Sequence, residues 1–181
     1  MNMMPEITLM LVPGLRDSGS GHWQSLWHQS NPHWLRIRQR SWEQVDLEAW
    51  ADAISREQQR ANTPLLLVGH SFGALASLVW ANRHPQLTAG VMLVAPAEPM
   101  RFGLDDEILP HSLKVPGLII ASHTDPLLSF ARAQYWAQAW GCELADIGEA
   151  GHINVESGFG EWRWGLKKLE EFAAQMAANL T

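Results

Sequence analysis

The feature that most constrains the fold is a regular alternation of short apolar runs with helical patterns. Apolar runs suited to buried parallel strands occur at residues 7–12, 65–68, 91–95 and 118–121, with weaker candidates at 34–38 and 143–147. Helical patterns lie between them, at residues 23–29, 47–58, 72–83, 127–140 and 161–178. Strands and helices in alternation predict a single open, mostly parallel sheet with helices on both faces and right-handed crossovers.

The length of the chain limits the number of domains. Its 181 residues suit one domain, residues 1–181, and are too few for two ordinary domains and a linker. The segment 96–116, between the fourth and fifth predicted strands, contains several proline and charged residues and leaves little room for a helical cap. We therefore expect a single domain with no cap domain and a site that opens to solvent.

Composition excludes several classes of function. A net charge of −6 argues against a nucleic-acid or anionic-membrane surface, and no apolar stretch approaches the length that spans a bilayer. The single cysteine, Cys142, excludes an internal disulfide and is compatible with a reducing cytoplasm, where we expect the protein. We expect no metal, because paired spacing and acidic neighbours are missing at His22, His28, His33 and His111.

One loop after a predicted strand carries a nucleophile motif. In parallel sheets ligands bind beyond the carboxyl ends of the strands. The sequence Gly69-His70-Ser71-Phe72-Gly73 matches G-x-S-x-G, a sharp strand-to-helix turn that exposes a serine. The pattern alone is weak, and the alternative is an inert serine in a glycine-rich turn. The apolar run before it and the small residues that open a helix after it favour Ser71 as a nucleophile.

Two further residues complete a candidate catalytic triad. A serine hydroxyl needs a base to take its proton, and an imidazole base needs an orienting partner. In the order typical of the strand–turn–helix motif, Ser71 is followed by Asp125 and then by His152, and each lies just after a predicted strand. We therefore predict His152 as general base and Asp125 as its orienting acid.

The assignment of the acid has alternatives. Asp125 is followed by Pro126 and a helical run, so it also fits the N-cap of that helix. In that case Glu98, after the fourth strand, is the substitute acid, and Asp105 and Asp106 are more distant substitutes.

Backbone donors and a pocket wall can also be proposed. The oxyanion of an acyl-transfer intermediate needs two N–H donors, for which Phe72 and Leu15 are the candidates. Gly14 either lets this loop approach the substrate or is an ordinary turn glycine. Trp23 is a candidate wall of the acyl pocket, with core packing as the alternative.

Motifs spread over nearly the whole chain resemble those of a known family, the small α/β-hydrolases of the retinoblastoma-binding protein 9 and YdeN type. The matching segments are Val12-Pro13-Gly14, His22-Trp23, Gly69-His70-Ser71-Phe72-Gly73, His123-Thr124-Asp125-Pro126, Gly151-His152-Ile153-Asn154 and Ser157-Gly158. The resemblance implies a compact α/β-hydrolase fold without a cap, the triad Ser71, Asp125 and His152, and ester or amide hydrolysis without a cofactor. It implies no particular substrate.

The leading hypothesis is a carboxylesterase-like serine hydrolase that cleaves small carboxylic esters through an acyl-enzyme intermediate. Thioester or amide hydrolysis would use the same residues. The expected partner is a small ester-like molecule, and the sequence favours no particular oligomeric state. The alternatives are an α/β-hydrolase-fold protein that acts mainly as a protein-binding module, and a lyase or peroxidase on the same scaffold.

Overall fold

Six parallel strands form one sheet in the computed structural model, which describes residues 6–108 and 112–179. The strands are β1 (Thr8–Val12), β2 (Leu35–Arg36), β3 (Leu65–His70), β4 (Thr88–Val94), β5 (Gly117–Ala121) and β6 (Glu143–Asp146). Their order across the sheet is β2-β1-β3-β4-β5-β6, and every neighbouring pair is parallel. The predicted open parallel sheet is confirmed, including its two weakest strands.

Helices cover both faces of the sheet. They are α1 (Trp23–Ser30), α2 (Leu47–Gln58), α3 (Phe72–Arg83), α4 (Asp105–Ile108), α5 (Phe130–Trp140) and α6 (Arg163–Asn179). Helices α1 and α6 pack on one face, and α2, α3 and α5 pack on the other. Within the described ranges, no helix is both long and apolar enough to cross a bilayer.

Successive residues of the central strands point to opposite faces of the sheet. In β1, Met10 and Val12 join the core beneath α2, α3 and α5, whereas Leu11 joins the core beneath α1 and α6. The same alternation holds in β3, where Leu67 and Val68 are fully buried on opposite faces. A strand buried on both faces must be apolar at every position, which is why these strands appear in the sequence as continuous apolar runs.

Two predicted helices begin later than expected. The helix predicted at residues 127–140 begins at Phe130, because Ser129 is its N-cap and accepts a hydrogen bond from the Arg132 backbone N–H at 3.3 Å. The helix predicted at 161–178 begins at Arg163.

The connection between β4 and β5 is short and contains little structure. Its described part holds a 3-10 helix, Pro99–Phe102, and the single turn of α4. Residues 109–111 lie outside the described residues. No cap domain is formed by the part of this connection that the structure describes, and the fold is that of an α/β-hydrolase.

Helix α3 lies very close to β1 and β3 because both contact points are glycines. A Cβ atom added at Gly69 would lie 2.5 Å from the Gly73 carbonyl oxygen and 2.6 Å from the Ala74 Cα. A Cβ added at Gly73 would overlap the carbonyl oxygen of Val12. These glycines therefore set the distance between the sheet and the helix that follows Ser71.

This close packing predicts that Gly73→Ala destabilises the fold. Alanine normally stabilises a helix interior by about 1 kcal/mol relative to glycine, but here its methyl group would collide with backbone. We expect urea unfolding to show a loss of about 3 kcal/mol or more. Gly21→Ala is the control, because no atom lies within 4 Å of its added Cβ. Equal stability of the two variants would contradict this account.

Candidate active site

The backbone of Ser71 adopts a strained conformation between β3 and α3. Its φ of 56° and ψ of −120° fall in a region that L residues rarely occupy. Two hydrogen bonds hold it there: the Ser71 N–H donates to the Val94 carbonyl at 3.1 Å, and the Ala97 N–H donates to the Ser71 carbonyl at 3.1 Å. The turn predicted from the sequence therefore exists and presents a half-buried serine at the carboxyl edge of the sheet.

The structure brings Ser71, His152 and Asp125 together. The His152 Nε2 lies 2.9 Å from the Ser71 Oγ, and its Nδ1 lies 3.0 Å from each carboxylate oxygen of Asp125. Because a carboxylate only accepts, Nδ1 carries the proton and Nε2 is left to accept from the serine hydroxyl. The side chains of His152 and Asp125 are only 9% and 2% exposed, which strengthens these interactions.

Hydrogen bonds within its loop and to the neighbouring loop fix His152. The His152 N–H donates to the Ser157 Oγ at 3.1 Å, and the Gly151 N–H donates to the Thr124 Oγ1 at 2.9 Å. Gly151 has a φ of +54°, and a side chain there would overlap the Ser157 hydroxyl. The loops after β5 and β6 are thus joined, so that Asp125 and His152 keep their relative positions.

The capping interpretation of Asp125 is wrong. Helix α5 is capped by Ser129, and Asp125 lies in the preceding loop. Its Oδ1 also accepts from the Leu127 N–H at 2.9 Å, which orients the carboxylate toward His152.

The substitute acids do not contact His152. Glu98 caps the 3-10 helix and receives two hydrogen bonds from Arg132, at 2.8 and 3.0 Å, and one from Trp136 at 3.1 Å. Burial by itself would raise the pKa of Glu98, but the hydrogen bonds from Arg132 and Trp136 outweigh it and hold that pKa below its ordinary value. Asp105 begins α4 without a hydrogen bond to His152, and the side chain of Asp106 lies outside the described residues.

The loop after β1 passes directly beside Ser71. A Cβ added at Gly14 would lie 2.9 Å from the His70 carbonyl oxygen and 3.3 Å from the Phe72 nitrogen. No described residue accepts a hydrogen bond from the Leu15 or Phe72 N–H groups. Both predicted oxyanion donors are thus unpartnered and lie on adjoining segments, and Gly14 is the residue that permits this approach.

The expectation that Trp23 walls the acyl pocket is wrong. Its side chain is fully buried, and helix α1 turns it toward the core rather than toward the cavity. Its indole N–H donates to the Ile153 carbonyl at 2.9 Å, directly after His152.

Buried tryptophans support three loops of the site, a role that sequence reasoning missed. Besides Trp23, Trp50 donates to the Pro13 carbonyl at 2.8 Å, in the loop after β1, and Trp136 donates to Glu98. The only sequence signal was the excess of tryptophan, ten in 181 residues. Each indole fills core volume and also satisfies a loop acceptor with its single N–H.

A cavity of about 460 Å³ opens above Ser71 and His152. Leu15 and Phe102 line it, and the exposed side chains of Leu127 and Val155 contribute apolar surface. Charged residues also line the cavity: Arg16, Asp17, Glu98, Arg101 and Glu156. It offers a small apolar region beside the serine and a polar, solvent-facing mouth.

Two more histidines, His22 and His70, lie close to His152. The ring centroids of His22 and His70 are 4.9 Å apart, and those of His70 and His152 are also 4.9 Å apart. His70 Nε2 donates to the His152 carbonyl at 2.9 Å, and His22 Nδ1 accepts from the Gln24 N–H at 3.2 Å. Burial, with a contribution from Arg36, lowers the pKa of His22 from 6.5 to about 4, and burial lowers the pKa of His70 well below its ordinary value. Both rings are neutral at pH 7.

The six-stranded parallel sheet and the Ser71 turn at its edge define the class of α/β-hydrolases. The serine hydrolase family profile matches residues 9–171. The chain belongs to the serine hydrolase family.

Solved structures agree with this assignment. A YdeN-like hydrolase from Pectobacterium atrosepticum is 58% identical, with a TM-score of 0.92 over 94% of this chain and 92% of that chain. YdeN from B. subtilis is 22% identical, with a TM-score of 0.75 over 93% and 100% of the two chains. Est1E from Butyrivibrio proteoclasticus, solved with ferulic acid, is 14% identical with a TM-score of 0.72 over 98% and 92%, a likeness of fold alone. A search of curated proteins finds no match. The resemblance to small YdeN-like serine hydrolases is confirmed.

The lowered pKa of His22 leads us to expect that acid destabilises the fold. In the unfolded chain a histidine takes up a proton near pH 6.5, whereas folded His22 takes one up only near pH 4. Protonation of the unfolded chain at this position therefore costs no stability above about pH 6.5. As the pH drops toward 4, it lowers the free energy of unfolding, by roughly 2 kcal/mol at pH 5. His22 is the N-cap of α1. His22→Ser keeps a capping side chain and should lose that part of the difference in unfolding free energy between pH 7.5 and pH 5.

His33→Ser, which removes an exposed imidazole, is the matched control and should keep the pH dependence of the unmodified protein. A His22→Ser variant that also keeps it would contradict the assignment.

Proposed function

We propose that the protein hydrolyses small carboxylic esters through an acyl-enzyme intermediate on Ser71. The observation that carries this proposal is the unbroken hydrogen-bond series from the Ser71 hydroxyl through His152 to Asp125. Membership of the serine hydrolase family supports the hydrolytic class.

The first half-reaction acylates the serine. His152 Nε2 takes the Ser71 proton as Oγ forms a bond to the carbonyl carbon of the ester. The carbonyl oxygen becomes an oxyanion that accepts hydrogen bonds from the Leu15 and Phe72 N–H groups. The bond to the leaving alkoxide then breaks, and His152 gives its proton to that oxygen, which releases the alcohol. Asp125 stabilises the imidazolium throughout.

The second half-reaction restores the enzyme. Water takes the place of the alcohol, His152 removes one of its protons, and the resulting hydroxide attacks the acyl carbon. The same two N–H groups hold the second oxyanion. The bond to Ser71 Oγ breaks, His152 returns the proton to that oxygen, and the carboxylic acid leaves. One ester and one water thus give one acid and one alcohol.

The size of the cavity favours substrates with small acyl groups. Its volume of about 460 Å³ is at the lower end for a small-molecule site, and its mouth is charged. Est1E, of the same fold, was solved with ferulic acid, a small carboxylic acid. Thioesters and amides of similar size would react through the same residues, although an amine leaving group needs more assistance from His152 than an alcohol or a thiol.

The proposal predicts that Ser71 is the labelled residue in a reaction with a fluorophosphonate. Ser71→Ala should lose labelling and at least about 10⁴-fold in turnover of p-nitrophenyl acetate, with an unchanged circular dichroism spectrum. Ser20→Ala, which removes an exposed serine, is the control and should label normally. Intact mass and peptide mapping identify the site. Label on a different serine would contradict the assignment to Ser71. A normal fold with no labelling of the unmodified protein would favour the binding-module alternative.

Three substitutions separate the roles of Asp125, Ser129 and Glu98. Asp125→Asn should lose on the order of 10⁴-fold in kcat, because the imidazole loses its acceptor and its tautomer. Ser129→Ala removes the cap of α5 and should cost about 1 kcal/mol of stability with near-normal turnover. Glu98→Gln should keep kcat within about tenfold, because Glu98 bonds Arg132 and Trp136 rather than His152. Near-normal kcat in Asp125→Asn together with an inactive Glu98→Gln would assign the acid to Glu98.

A further inference from the structure

A second concave site lies away from the catalytic cavity, between residues 38–41 and helix α2. This groove has a volume of about 860 Å³ and shares no lining residue with the cavity above Ser71. Its walls carry four arginines, Arg38, Arg40, Arg56 and Arg60. We call it the arginine groove.

The arginine groove carries an excess of positive charge, although the net charge of the whole chain is −6. The whole chain has 13 Lys and Arg against 19 Asp and Glu, yet four of these cations line this one groove. Only two carboxylates, Asp52 and Glu57, line it with them. Like charges gathered at one place repel each other, so the arrangement favours the binding of an anion.

Protein contacts hold three of the arginines and leave most of their N–H groups free. Glu57, whose side chain is 7% exposed, accepts from Arg38 Nε at 3.0 Å and from Arg60 Nη1 at 2.8 Å. Arg56 Nη2 donates to the Arg38 carbonyl at 3.2 Å. Glu57 is therefore shared by two arginines, while Arg40 and Arg56 have no carboxylate partner among the described residues.

Gln39 adds an unpartnered amide to the same wall. Its amide nitrogen and oxygen are both shielded from solvent, and neither has a hydrogen-bond partner. A buried amide without partners costs free energy, which the Gln39 side chain could recover by turning toward a polar group bound in the groove. Gln39 lies between Arg38 and Arg40 in the sequence and lines the groove with them.

We propose that the arginine groove binds a small molecule that carries two or more phosphate groups. Guanidinium groups match phosphate oxygens in pairs, and arginines that come from two segments of the chain can contact two phosphates at once. The volume is that of a small-molecule site. A long nucleic acid would extend beyond the groove over a surface that carries the net charge of −6, so a compact ligand fits better.

The test uses inorganic pyrophosphate as the probe and isothermal titration calorimetry as the readout, at a fixed physiological ionic strength. We expect binding of one pyrophosphate per chain and a Kd that rises at least about tenfold in the double variant Arg40→Gln/Arg56→Gln. Gln39→Leu, which keeps the volume and removes the amide, should also weaken binding. Sulfate at equal ionic strength should bind more weakly than pyrophosphate.

The matched control is Arg163→Gln/Lys167→Gln, which removes the same charge from exposed positions on α6 and should leave the Kd unchanged. Fluorophosphonate labelling of Ser71, where it occurs in the unmodified protein, and the thermal unfolding midpoint show whether each variant is folded. The proposal is overturned by absence of binding at millimolar pyrophosphate, by an equal loss in the control variant, or by tighter binding of an oligonucleotide or acidic peptide.

Discussion

The strained backbone of Ser71 is the constraint on which the rest of the structure depends. A φ of 56° at a residue with a side chain is tolerated only where surrounding packing leaves no alternative. That packing comes from β3 before the serine and α3 after it, which touch at Gly69 and Gly73. Strain of this kind is concentrated near the site: of six non-glycine residues with positive φ among the described residues, five lie on loops at the carboxyl edge, namely Arg16, Asp17, Ser71, Ala95 and Ile153.

Much of the fold and the meeting of Ser71, His152 and Asp125 could be predicted from the sequence. Strands buried on both faces leave continuous apolar runs, and parallel strands place the loops that follow them at one edge. These two rules are enough to bring Ser71, Asp125 and His152 to one place. His152 is hydrogen-bonded to both of the others, although it lies 27 positions from Asp125 and 81 positions from Ser71 in the sequence. Which acidic residue contacts His152 depended on where α5 begins, because both Asp125 and Ser129 are good N-cap residues.

Other features could not be predicted, for physical reasons. Helical periodicity identifies the buried face of α1 but not which neighbours that face meets, so it cannot show that Trp23 lies beneath the His152 loop rather than beside the substrate. The arginines of the second groove come from two segments, 38–40 and α2, whose proximity depends on the crossover between β2 and β3. Hydrogen bonds from a side chain to a distant carbonyl leave no periodic signal in a sequence at all.

The indole contacts of Trp23, Trp50 and Trp136 come from α1, α2 and α5, and so from both faces of the sheet. Each helix can leave the sheet only if its indole also releases a loop of the site. Local opening of either layer therefore disrupts the geometry around Ser71, and the site belongs to the same cooperative unit as the two cores. Loops at the edge of a sheet are commonly the least stable part of a protein, but here their resistance to opening is tied to that of the buried helices.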